Sequence, residues 1–142
     1  MMFKNIFKSK KPQNTKNNYV LIAALLIHAA KIDENYTEIE KNIIIKAIMN
    51  FAEVSSDEAK KLLSHAEEKE KESNQIIEFT KEIKRYPMND RLKIIEIVWK
   101  IVYSDGTSDN YESNLIRRIC GLLYISDKDS GEIKMKLQNL KK

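Results

Sequence analysis

The chain has 142 residues, of which 42% are hydrophobic and 32% charged, with three Gly, two Pro and one Cys. That length suits one globular domain, and the shortage of Gly and Pro makes hairpins and barrels poor fits and helices joined by short polar bends good ones. The lone cysteine, Cys120, excludes an internal disulfide framework and a cysteine-based zinc site.

The net charge of +4 is unevenly spread. Residues 1–18 hold Lys4, Lys8, Lys10, Lys11 and Lys16 and no acid, so the remainder carries 25 − 5 = 20 basic against 21 acidic residues. A nucleic-acid-binding domain places its basic excess on the folded surface. Here the excess lies in a tail, and no nucleic-acid partner is expected. Residues 1–17 form a basic, flexible leader, and the domain is expected over 18–142. Phe3, Ile6 and Phe7 among the lysines make a short amphipathic piece able to touch a membrane surface, although a frayed tail is the simpler reading. Tyr19 to His28 imitates the apolar stretch of a secretory signal. Residues 20–33, however, fall in register with residues 92–105, which a targeting signal does not explain. The segment therefore belongs to the core, and a cytoplasmic location is the default expectation.

From about residue 18 the apolar spacing is helical. Val20, Ala23, Ala24, Ile27 and Ala30 give the first helix a broad face, ending near Lys31. Thr37-x-x-Glu40 has capping-box spacing and opens a second helix with Ile43, Ile44, Ala47, Ile48 and Phe51 as its stripe. Ser55 or Ser56 caps a third, carrying Ala59, Leu62, Leu63 and Ala66 before the charged run Glu67–Glu72. That run is expected to be solvated. Ser73 or Asn74 caps a fourth helix with Ile76, Ile77, Phe79 and Ile83, ending before Pro87. Asn89 or Asp90 caps a fifth with Leu92, Ile95, Val98, Trp99 and Val102, broken at Asp105-Gly106. Asp109 opens a sixth with Leu115, Ile116, Ile119, Leu122 and Leu123, where Cys120 is expected to be a small core residue. Ser126 or Asp127 opens a short seventh through Ile133, Met135 and Leu137. The fold class is all-α: a single-domain bundle of about seven helices. Trp99, Tyr103, Phe51 and Phe79 are expected to pack.

Two helix–acidic bend–helix units repeat at one offset: 105 − 33 = 72, 109 − 37 = 72 and 112 − 40 = 72. Thr37 and Asp109 are good N-caps, and Glu40 and Glu112 stand three residues later, where a carboxylate favours the helix N-terminus. Asp33 and Asp105 follow helix C-termini, where the dipole disfavours them. An Asx-turn rationalises such a position. The alternative is a cation site, because oxygen donors from two bends suit Mg²⁺, Ca²⁺ or Mn²⁺. The second bend is not an EF-hand: counted from Asp105, position six is Asn110 and position twelve is Ile116. His28 and His65 are isolated and suggest ordinary helix positions. No phosphate loop, nucleophile elbow or informative Cys/His pair is present. A metal-dependent hydrolase is a remote third reading.

The core Trp99-x3-Tyr103-x-Asp105-Gly106-x2-Asp109-x2-Glu112, followed by Ile116-Arg117-Arg118-Ile119, resembles the tellurite-resistance protein B (TerB) family. The first half, Ala29 to Glu40, fits that family's other acidic bend, except that Glu34 stands where the second bend has Gly106. The resemblance spans roughly residues 18–138 and implies a seven-helix bundle, a cytosolic stress-associated role and an acidic metal site. By position, it puts forward Asp33, Glu40, Asp105 and Glu112 for a divalent cation, with Asp109 secondary. It is compatible with a non-enzymatic module acting with a protein partner at the inner membrane face. The alternative is an interaction scaffold whose acids only cap helices.

Overall fold

The computed structural model describes residues 12–31, 36–72, 76–105 and 110–140, with side chains described over 19–31, 36–72, 76–104 and 114–139. Among the described residues the regular elements are all helices: α1 (Pro12–Ala30), α2 (Glu38–Ala52), α3 (Ser56–Glu72), α4 (Ile77–Ile83), α5 (Met88–Val102), α6 (Asn110–Leu122) and α7 (Asp127–Leu140). A 3-10 turn, Tyr103–Asp105, follows α5. The all-α bundle expected from the apolar spacing is the observed architecture.

The bundle is built around α1. Every residue from Leu21 to Ile27 is buried, as are Ala29 and Ala30. A helix apolar all round has no solvent face to offer and must be surrounded. It packs on α2, α3, α4 and α5, most extensively on α3. Small buried residues on both partners, Ala23 and Ala24 on α1 and Ala59 and Ala66 on α3, permit a close approach. The helix opens at Pro12, earlier than the apolar pattern implies and within the stretch read as a leader. Pro is well suited to a first helical position because its missing N–H would lack a partner there anyway.

The starts and stops have identifiable causes. Thr37 caps α2 with a full capping box. The Ser55 hydroxyl accepts from the Glu58 amide at 3.2 Å, and the Ser126 hydroxyl from the Asp129 amide at 3.1 Å, so the serines rather than their neighbours cap α3 and α7. Neither Asn89 nor Asp90 caps α5. Pro87 holds that position with φ −55° and ψ 151°, and its carbonyl accepts from the Asp90 and Arg91 amides at 3.0 and 3.1 Å. Its ring fixes φ and ends the preceding turn, which leaves Asn89 and Asp90 inside the helix. At α4 the cap position is Ile76, without a side-chain hydrogen bond, while Ser73 and Asn74 lie outside the described residues. So does Gly106, expected to break the helix after Asp105.

The second half packs through Trp99. Its ring is buried and stacks on Tyr103 with centroids 5.6 Å apart, while its indole N–H donates to the buried Ser130 hydroxyl of α7 at 3.1 Å. Phe79 is fully buried and Phe51 half-buried. Cys120 is a core residue, as its spacing indicates. Met135 is 63% exposed, contrary to its place in the expected stripe, because at the helical period it faces away from Ser130, Ile133 and Leu137, the residues on which α7 rests. No helix among the described residues is long and apolar enough to cross a membrane.

Candidate functional site

Of the acidic residues put forward for a cation, Glu40 is the one with a described side chain. Its Oε1 accepts the Thr37 amide at 2.7 Å and the Thr37 hydroxyl at 3.2 Å, while its own amide donates to that hydroxyl at 3.2 Å. This is the reciprocal box that the Thr-x-x-Glu spacing predicts. It leaves Glu40 buried at 6% exposure. Asp33 and Asp109 lie outside the described residues, and Glu112 is placed by its backbone in the first turn of α6. Asp105 is also placed by backbone alone, at the end of the turn after α5. Among the described residues no three His, Cys, Asp or Glu side chains come together as a metal ion requires.

The flanks of the first acidic bend are bound to α3 through Glu67 and Glu70, while Glu68, Lys69, Lys71 and Glu72 are exposed, as expected of a solvated run. Glu70 receives the Lys31 ammonium at 2.9 Å and lies 3.4 Å from His28 Nδ1. The Tyr36 hydroxyl donates to Glu67 at 3.1 Å, and Lys41 sits 5.1 Å from the Tyr36 ring centroid. Burial first, and the Glu67 carboxylate second, push the Tyr36 hydroxyl well above its ordinary value and hold it as a donor. A sequence signal for this contact does exist. Ala59, Leu63, Ala66 and Glu70 recur at spacings of four, three and four, so Glu70 continues the buried stripe of α3.

A second feature had no counterpart in the motif reading. An open groove of about 490 Å³ runs between α2 and α5. Helical spacing builds both walls: Ile43, Lys46, Ala47, Asn50 and Phe51 from α2, and Lys93, Glu96, Ile97 and Lys100 from α5. The floor is apolar, with Ile43, Phe51 and Ile97 half-buried. Glu96, the one acid in the lining, is shared between Lys100 at 3.8 Å and Lys136 of α7 at 3.6 Å. Lys46 and Lys93 are exposed and enter no ion pair among the described residues.

Cys120 offers no nucleophile. Desolvation raises its thiol pKa, outweighing the Ser130 hydrogen bond that acts in the other direction.

Comparison with curated proteins and with solved structures returned no match. The family model described as "Tellurite resistance protein TerB" matches residues 20–135, spanning all the helices that build the bundle from the buried part of α1 to most of α7. With that match over most of its length, the chain belongs to the TerB family.

Proposed function

We propose that this TerB-family chain is a non-enzymatic helical module that binds a protein partner in the groove between α2 and α5, its acidic bends serving to start and stop helices. The groove supports this reading: half-buried apolar side chains line two facing helices, beside Lys46 and Lys93, which enter no ion pair among the described residues. Partly open apolar side chains set between two helices, with lysines at the rim, offer a partner both a surface to cover and charges to meet. Photo-crosslinking residues placed at Asn50 and Lys93, with Lys60 on α3 as the control, test it in cells. Discrete adducts from the two groove positions alone are expected. Equal adducts from Lys60, or none from any position, would overturn the reading.

A second reading has the bends hold Mg²⁺, Ca²⁺ or Mn²⁺ through Asp33, Glu40, Asp105 and Glu112, with Asp109 secondary. It is favoured by Asp105, whose backbone closes the turn after α5, where the dipole disfavours a carboxylate. The Glu40 capping box weighs against a full set of four. Calorimetric titration of each ion into the wild type and an Asp33→Asn/Asp105→Asn variant separates the readings. The capping account expects no saturable heat and an unchanged melting temperature. Saturable heat lost in the double variant would assign the bends to a cation. In the capping account Glu40→Gln folds normally, because Gln keeps the box.

A further inference from the structure

We infer that the occupant of the α2–α5 groove is an acidic amphipathic helix of a partner protein; this deepens the interaction reading and rests on it. Charge comes first. The lining carries Lys46, Lys93 and Lys100 against Glu96 alone, and Glu96 is already held by Lys100 and by Lys136. A carboxylate entering the groove finds two ammonium groups, those of Lys46 and Lys93, without an acid partner among the described residues. Rim charge of one sign selects a partner of the other and repels its own kind.

Shape comes second. The α2 wall runs from Ile43 to Phe51, about 12 Å along the helix axis. That is the span over which side chains at i, i+3 or i+4, and i+7 of a docked helix line up. Apolar anchors at those positions meet Ile43, Ala47, Phe51 and Ile97, while flanking acids reach the lysine rim.

The chain supplies an internal precedent. At the sequence offset of 72, Lys93, Glu96, Ile97 and Lys100 correspond to Leu21, Ala24, Leu25 and His28 of α1. There the first three are buried, and His28 meets Glu70 of α3 at 3.4 Å. A helix carrying a carboxylate, Glu70, thus covers α1 where His28 stands. The corresponding position on α5 is Lys100, exposed and facing the groove.

The experiment uses the full chain and fluorescently labelled peptides of roughly twelve residues, read by anisotropy. One peptide has leucines at i, i+3, i+4 and i+7 among glutamates. A second replaces those glutamates with lysines. A third scrambles the acidic one, and polyglutamate and a single-stranded oligonucleotide complete the set. The acidic amphipathic peptide is expected to bind saturably, more weakly as salt rises. Lys46→Glu/Lys93→Glu is expected to weaken it about tenfold, while Lys60→Glu/Lys61→Glu on α3, with the same charge change, leaves it unaltered. Circular dichroism checks that both variants fold. Equal binding of the scrambled peptide, polyglutamate or the oligonucleotide would overturn the inference, since mere charge would suffice. Preference for the lysine peptide would also overturn it, while leaving the groove a docking site. Binding by none of them would remove both the inference and the groove reading. Sedimentation showing a dimer that Lys46→Glu/Lys93→Glu disperses would give the groove to a second copy and overturn the acidic-partner assignment.

Discussion

Helices α1 and α5 carry corresponding apolar patterns and are buried in different ways. On α1 the run Leu21–Ile27 is buried on every side. On α5 the buried set is Ile94, Ile95, Val98, Trp99, Ile101 and Val102, leaving Lys93 and Lys100 exposed with Glu96 and Ile97 half-buried. The difference lies in a few substitutions between corresponding positions, Leu21 against Lys93 and Ala24 against Glu96. They convert a helix that must be surrounded into one that tolerates an open face. One consequence is energetic: the same kind of truncation should cost far more on α1 than on the α5 groove.

The largest expected effect tests that contrast directly. Leu25→Ala, in a fully buried position, should cost about 3 kcal/mol through lost transfer energy and a residual cavity. Ile97→Ala, at the corresponding half-buried position, should cost about 1 kcal/mol. Urea midpoints with unchanged slopes are the measurement. Equal losses would mean that the groove is closed in solution.

The two helices also differ in how they use a shared carboxylate. Glu70 has an 11% exposed side chain and joins α3 to His28 of α1 and to Lys31 just beyond its end. Glu96 has a 30% exposed side chain and bridges Lys100 and Lys136, both more exposed than itself. Solvent weakens the second arrangement more than the first, so Glu70→Ala should cost about 1 kcal/mol and Glu96→Ala roughly 0.3 kcal/mol. Added salt should narrow the gap by screening both pairs. If the two variants cost the same, Glu70 does not fasten α3 to α1.

One turn before Glu70 on α3, Glu67 accepts the Tyr36 hydroxyl at 3.1 Å, which gives a pH readout of how the first bend is held. The hydroxyl's pKa is raised in the folded chain above the ordinary value of 10.0, by burial first and Glu67 second. The unfolded chain therefore loses this proton at lower pH than the folded one. The contribution is fully present below 10.0 and is lost as pH rises beyond it. Tyr36→Phe should cost roughly 0.7 kcal/mol at neutral pH through the lost hydrogen bond, and should flatten the alkaline fall in stability. An alkaline slope identical to wild type would place Tyr36 in solvent.

Much of this architecture was legible because helix-forming signals are local. Thr37 and Glu40 specify their capping box within four residues, and the stripe Ile44, Ala47 and Ile48 needs only the helical period. What was not legible depends on which helices become neighbours. Glu70 sits in a run of alternating charge whose i,i+4 pairing looked sufficient, yet its place on the α3 stripe turns it toward α1. The groove was invisible for the same reason. Ile43, Phe51 and Ile97 have the spacing of core residues, and only the arrangement of α2 against α5 leaves them half-open. Pro87, extended at ψ 151° and without an N–H to continue the preceding turn, takes the cap position, so Asn89 and Asp90 fall inside the helix. Of the acidic site, the Thr37–Glu40 spacing specified the capping box that forms, whereas cation binding depends on distances between bends that no spacing rule supplies.

The smallest effects concern two left-handed residues, one closing a helix in each half of the chain. Glu53 ends α2 with φ 54°, and Tyr124 follows α6 with φ 58°. Around Tyr124 the amide of Ile125 reaches the Cys120 carbonyl at 2.8 Å and that of Tyr124 reaches Gly121 at 3.4 Å, the paired bonds of a Schellman end. Glycine adopts this backbone without a Cβ penalty, but it loses more entropy on folding, so the net gain is modest. Glu53→Gly should raise stability by about 0.5 kcal/mol. Tyr124→Gly should gain less, because the Lys84 ammonium lies 5.8 Å from the Tyr124 ring centroid and that contact is lost. Thermal melts resolve the order of the two. A loss at Glu53 would show that its side chain contributes more to closing α2 than its backbone strain costs, and the two helix ends would then be held by different means.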